Sequence, residues 1–253
     1  MKRYLLELQF YGRNYDGFQR QGNTHNTVQE VLETALGKLF SVSVQTQGCS
    51  RTDAGVSAES FFCHFDANTK LPAERICFKL NRFLPKDVQA VSSREVPASF
   101  DARRDVLRKT YVYTFYRSPH RLPLYERDAV RVSAGFDAER VRNAAACLTG
   151  RHDFSAFRTV GYEKGAEDRP AVRTLESIRV EEDGKRVRVY FTGDGFLYNM
   201  VRIMAGTLAE VGEGTRSSES VCKTLQSGDR SEAGRTMPPK GLCLLSVEYP
   251  PLP

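Results

Sequence analysis

No stretch of the 253 residues approaches the roughly 18 consecutive apolar side chains that a membrane-spanning helix needs. No low-complexity segment is present, and glycine and proline are near average at 19 and 11, which excludes collagen-like and linker-dominated chains. The six cysteines include no C-x-x-C pair, and none of the four histidines lies at zinc-finger spacing from them, so the sequence predicts neither a metal site nor a disulfide framework. Signatures of several common enzymes are missing: the P-loop, G-x-G-x-x-G, the G-x-S-x-G elbow and H-E-x-x-H. The aromatic signature of RNA-recognition motifs is missing as well. The first residues, Met1 to Glu7, reach a carboxylate before an export leader's apolar core could form, which predicts a cytoplasmic protein.

What is present is a chain with 40% hydrophobic residues, enough for a sizeable core, and a net charge of +6. Arginines number 27 against ten lysines. The planar guanidinium binds phosphate bidentately and stacks on bases, so the balance points to a nucleic-acid partner; arginine-rich codon usage would produce the same composition.

Local patterns predict an α+β fold. Arg3–Tyr11 reads as a strand, and Thr27, three residues before Glu30, opens a helix whose apolar face is Val28, Val31, Leu32, Ala35, Leu36 and Leu39. Val42–Gln47 and Glu59–Phe65 read as strands, 73–84 as a helix and Val88–Val96 as a fourth strand. That order is the split βαβ, ferredoxin-like pattern. Strands at Thr110–Arg117, Leu175–Val180, Arg186–Phe191 and Leu242–Val247, with helices at Asp137–Leu148, Asn199–Val211 and Ser217–Leu225, repeat it loosely. The expectation is two ferredoxin-like halves, 1–98 and 99–253, whose sheets form a cleft between them.

Three stretches can carry chemistry. The loop from Gly48 to Val56 sets Asp53 among small residues with Arg51 two positions away. An ionised aspartate there is a nucleophile or a base, or simply part of an Asx turn. Asp101 to Phe115 runs a basic cluster, Arg103, Arg104 and Arg108, into a strand that shows Tyr111, Tyr113 and Phe115 on one face. Basic side chains track phosphates and aromatic faces stack on bases, but an ordinary core strand reads the same way. Arg202 stands among Met200, Val201, Ile203 and Met204, where a partly buried charge needs an anionic partner; Asp53 is a candidate, and snorkelling to water is the alternative.

Taken together, these stretches resemble the TruA-type tRNA pseudouridine synthases. The similarity is carried by Tyr15 to Gln21 with Thr27-Val28-Gln29, by Arg51-Thr52-Asp53-Ala54-Gly55-Val56, and by Phe100-Asp101-Ala102-Arg103 with Tyr111-Val112-Tyr113. His152-Asp153-Phe154, Met200-Val201-Arg202 and Gly241-Leu242-Cys243-Leu244 complete it. Two positions depart from the family: Ser57 where a histidine is usual, and Phe18 where tryptophan is common. The resemblance implies a cofactor-free isomerisation of uridine to pseudouridine at positions 38 to 40 of the tRNA anticodon stem-loop, by a homodimer with no membrane partner. It implies that Asp53 is the catalytic aspartate, Tyr111 the active-site tyrosine and Arg202 the aspartate's partner. It further implies that Arg51 holds the place of the flipped-out nucleotide and that Leu242 binds substrate, beside Arg103 and Arg104. A non-catalytic RNA-binding module is the alternative, and it leaves Asp53 without a role. A glycoside or nucleoside hydrolase commonly uses two carboxylates across the bond, and only Asp53 sits in a suitable loop.

Overall fold

The computed structural model describes residues 1–160 and 170–251. It is α+β, and its contacts group the chain into two units, Met1–Leu107 with Cys243–Pro253, and Arg108–Leu242. The sequence predicts a second half that runs to the C-terminus; the structure groups the chain from Cys243 onward with the first unit.

In the first unit the strands are β1 (Lys2–Phe10), β2 (Thr46–Gly48), β3 (Ser57–Ala67) and β4 (Val88–Val96), with helices α1 (Val28–Phe40) and α2 (Ala73–Leu80). β1 lies between β4 and β3, antiparallel to both, and β2 pairs antiparallel with β3. The far edge of β3 is shared. β2 takes Cys63, His64 and Phe65, and the closing strand β10 (Leu242–Glu248) pairs in parallel at Ser57 and Ala58. The loop 49–56 leaves the sheet between those two pairings.

Successive side chains of β3 point to opposite faces of the sheet, which assigns residues 61–66 to two sets. Phe61, Cys63 and Phe65 are buried on the helix side, where Phe61 meets Phe18 at 4.1 Å and Phe65 meets Tyr4 and Phe40. Phe62, His64 and Asp66 point to the opposite face, which the segment 97–105 covers with Phe100 and Ala102 packed on Leu5 and Val96.

α1 starts as the sequence predicts, with Thr27 Oγ1 accepting from the Glu30 N–H. α2 stops four residues short of the predicted end. Asn81 closes it because its side-chain amide donates to the Ala90 carbonyl and accepts from the Ala90 N–H, clamping the chain to β4. The predicted strand 42–47 shrinks to Thr46–Gly48.

In the second unit, β5 (Arg108–Arg117), β9 (Arg186–Gly193), β8 (Val172–Asp183) and β7 (Gly150–Asp153) lie in that order, each antiparallel to the next, and β6 (Val130–Val132) pairs in parallel with β5. β6 and β7 are absent from the sequence reading, being too short to show a period. The helices are α3 (Ala138–Ala145), α4 (Met200–Gly212) and α5 (Ser218–Ser227). α3 is capped by Asp137, whose carboxylate accepts from the N–H groups of Glu139 and Arg140. β9 alternates as read, with Val187, Val189 and Phe191 buried. Among the described residues no helix is long and apolar enough to cross a membrane.

Candidate active site and nucleic-acid interface

Asp53 sits half-buried in the loop between β2 and β3, and the segment Tyr11–Phe18 holds that loop in shape. The Phe18 N–H donates to the Thr52 carbonyl at 3.3 Å, and the Gly55 N–H donates to the Tyr15 carbonyl at 3.0 Å. Within the loop, the Val56 N–H donates to the Asp53 carbonyl at 3.1 Å. Two glycines permit this contact. A Cβ on Gly12 would stand 1.9 Å from the Val56 carbonyl oxygen, and one on Gly17, whose φ is +94°, would stand 2.5 Å from that of Thr52. Gly17→Ala therefore combines a left-handed backbone with a backbone clash, and we expect it to cost about 2 kcal/mol or more and to lower activity. Denaturant midpoints beside turnover check this; a variant with wild-type stability and rate would show that the loop does not depend on the contact.

Both departures from the family pattern are accommodated here. Ser57 Oγ accepts from the Gly12 N–H at 3.0 Å, and Phe18, fully buried, clusters with Phe61 at 4.1 Å and Phe10 at 6.4 Å. These supports lie in the sequence as Tyr-Gly-Arg-Asn-Tyr-Asp-Gly, which reads locally only as a turn.

Beside the loop, a cleft of about 280 Å³ is lined by Phe18, Gln19, Gln47, Ser50, Arg51 and Arg103. The structure thus brings two of the predicted substrate-binding arginines, Arg51 and Arg103, to one depression two residues from Asp53. A polar network fixes its wall. The Glu33 carboxylate accepts from the Thr46 N–H at 2.8 Å, from Gln29 Nε2 at 3.0 Å and from Arg20 at 2.9 Å. Arg104 is fully exposed, and its guanidinium is 4.0 Å from Asp101. The Arg103 guanidinium makes no ion pair among the described residues.

Tyr111, Arg202 and Leu242 belong to the second unit. Tyr111 is buried to 6% exposure, its ring edge-on to Phe196 at 5.0 Å. The expected aromatic face of β5 is otherwise core: Tyr113 and Phe115 are fully buried, since every residue from Tyr111 to Tyr116 is covered. Burial pushes the Tyr113 hydroxyl far above the ordinary tyrosine range, against the opposing charges of Arg202 and Arg235, and it donates to the Pro238 carbonyl at 2.7 Å. Of these three, only Tyr111 keeps any measurable exposure.

Arg202 is half-buried on α4, whose other side chains, Glu210 apart, are buried. It does not simply extend to water. Nε donates to the Met237 carbonyl and an Nη to Asn199 Oδ1, both at 2.7 Å. Asn199 stands at the helix start with φ +61°, an unusual conformation for a residue other than glycine, and its amide also donates to Thr159 Oγ1. Sequence reasoning missed Asn199. Its one available signal was an asparagine, a residue that tolerates the left-handed region, directly before the arginine helix. Leu242 is buried at the first position of β10. Among the described residues no group of three or more histidines, cysteines, aspartates or glutamates could hold a metal ion.

Comparison with known proteins gives this arrangement its class. A family profile described as tRNA pseudouridine synthase matches residues 144–250. A protein of Clostridium acetobutylicum named tRNA pseudouridine synthase A is 40% identical over 249 residues, covering 98% of this chain and all of the relative. One of the same name from Clostridium kluyveri is 41% identical over 250 residues, and one from Acetivibrio thermocellus 39% over 249, with the same coverage. The chain belongs to the tRNA pseudouridine synthase A family, and it is an isomerase acting on uridine in tRNA.

Proposed function

We propose that this protein converts uridine to pseudouridine at positions 38 to 40 of the tRNA anticodon stem-loop, with Asp53 as the essential carboxylate. The observation that carries the reading is the pinned loop. A carboxylate carried on a loop that backbone hydrogen bonds and close glycine contacts hold in shape, two residues from an arginine-lined cleft, is preorganised for one reacting position.

The reaction breaks the bond from C1′ to N1 of uracil and forms one from C1′ to C5. A proton leaves C5 and N1 gains one, so the product is an isomer and no redox or group-transfer partner enters. Asp53 supplies negative charge to C1′ or C6, or assists a glycal route. The target base is first extruded, at a cost of a few kcal/mol of unstacking. Tyr111 stacks on the base and serves as proton acceptor. Arg202 keeps Asp53 ionised, Arg51 fills the vacated place in the stem, Leu242 packs on the substrate, and Arg103 and Arg104 neutralise phosphates.

In this reading the protein is a cytoplasmic homodimer with tRNA lying across both subunits, and the two halves are ferredoxin-like. The antiparallel order β4–β1–β3–β2 supports that description of the first. Mapping pseudouridine in tRNA treated with the protein tests the proposal. Modification confined to 38 to 40 is the expected result; free uracil, or modification elsewhere only, would overturn it.

A further inference from the structure

The turn that carries Arg103 is held at nearly every backbone group. The Phe100 carbonyl accepts from Arg3 at 2.8 Å, and Arg3 also grips Asp66 through two bonds of 2.8 Å. The Asp101 N–H donates to Asp105, and the N–H groups of Arg103 and Arg104 donate to Asp101 Oδ1 at 2.8 and 3.0 Å. Gln47, on the wall of the cleft, donates to both oxygens of Asp101. Ala102, fully buried, is held on both sides: its carbonyl accepts from the Tyr249 hydroxyl at 2.6 Å, and its N–H donates to His64 Nδ1 at 3.0 Å.

That last bond has a chemical condition. A ring nitrogen accepts only when it carries no proton, so His64 must be neutral, with its proton on Nε2. We propose that His64 is a positioning residue for tRNA binding: its neutral imidazole, with Asp101, presets the turn so that Arg103 faces the cleft and takes a phosphodiester of the tRNA backbone. The inference rests on the functional reading above and names a residue that the reading does not use.

The surroundings keep the imidazole neutral. His64 is 8% exposed, and burial lowers its pKa below the ordinary histidine range. Arg3 lowers it further, while Asp66, Asp101 and Asp105 oppose. A histidine depressed in the folded state gives stability that is complete above the unfolded value, about 6.5, and is lost as pH falls through the folded one. Protonation removes the acceptor for Ala102, so acid should loosen the turn before it unfolds the protein.

The test is tRNA binding and turnover from pH 5 to 8 for the wild-type chain, His64→Asn, His64→Leu, Arg103→Gln, and His64→Leu with Arg103→Gln. Asparagine offers a carbonyl oxygen near the place of Nδ1 and does not titrate; leucine offers no acceptor. In the wild type, Kd and KM for tRNA should rise on the order of tenfold towards the acid end, with kcat at saturating tRNA little changed. His64→Asn should keep the neutral-pH affinity and lose the acid dependence. His64→Leu should weaken binding by a similar factor at every pH, and Arg103→Gln should weaken binding and abolish the acid dependence. The double variant should bind no worse than Arg103→Gln alone, because the two residues act as one unit.

An acid dependence that survives in His64→Asn or in Arg103→Gln would overturn the proposal, as would a His64→Leu loss that is the same with and without Arg103. If His64→Leu fails to fold, the Asn and Gln profiles decide. A wild-type protein that binds tRNA but forms no pseudouridine sinks the functional reading while leaving these binding arms to be read by themselves.

Discussion

Asp53→Asn is expected to remove pseudouridine formation, by several orders of magnitude, and to leave tRNA affinity within about twofold of the wild type. The amide keeps the shape of the carboxylate. The backbone bonds of Thr52, Asp53 and Gly55 that tie the loop do not pass through the carboxylate, so the substitution leaves those bonds in place. What disappears is the negative charge that the proposed mechanism uses to attack or stabilise the ribose. In the proposed binding mode affinity rests instead on arginines that neutralise phosphates, so one exchange at Asp53 should change it little. Pseudouridine content beside filter binding separates the two. An Asn variant that still modifies tRNA at a near-normal rate would remove Asp53 from the chemistry. One that loses binding and activity together would make it a binding residue.

Arg202→Met is expected to produce the second-largest effect and to act on stability as well. The guanidinium donates to the Met237 carbonyl and to Asn199 Oδ1, and the methionine side chain replaces neither bond. Two acceptors in a half-buried site lose their donor, which we put at about 2–3 kcal/mol. Asn199, held with a positive φ, also loses one of its two side-chain partners, so the start of α4 should loosen locally. The proposed role of Arg202, keeping Asp53 ionised, adds an independent readout: the acid limb of the activity profile should move to higher pH. A folded Arg202→Met with normal activity and an unmoved profile would confine Arg202 to tying Met237 and Asn199 together.

The sequence was legible wherever a pattern is local. Thr27 and Asp137 each sit at a helix start as Ser/Thr/Asp caps do, and both cap in the structure. The alternation of β9 sets Arg186, Arg188 and Tyr190, all half-buried, on the face opposite Val187, Val189 and Phe191, as their spacing predicts. Legibility failed where a distant residue decides. α2 looks continuable to residue 84, but the bond from Asn81 to Ala90, nine residues on, stops it. Tyr111, Tyr113 and Phe115 look equivalent along β5, but coverage of both faces makes Tyr113 and Phe115 core. The pairing of the closing strand with Ser57 and Ala58 spans most of the chain, and no local signal announces it.

The site divides in the same way. Asp53 and Arg51 were readable as a polar residue pair in a glycine-rich loop. The groups that support them were not: Gly12 and Gly17 matter because of carbonyls some 35 to 45 residues away, and His64 because of an N–H on Ala102. A histidine inside an aromatic strand reads as core, and it becomes informative only once its bond to Ala102 is seen.

The most direct test of the central claim is tritium release from tRNA carrying uridine labelled at C5, with the wild-type protein and Asp53→Asn side by side. Forming the new bond at C5 expels that hydrogen to water, whereas binding alone or simple cleavage of the bond to N1 leaves it on the base. The account predicts stoichiometric release by the wild type, one tritium per pseudouridine formed, and none above background by the variant. Wild-type protein that binds the labelled tRNA and releases no tritium, or an Asp53→Asn variant that releases it at the wild-type rate, would contradict it.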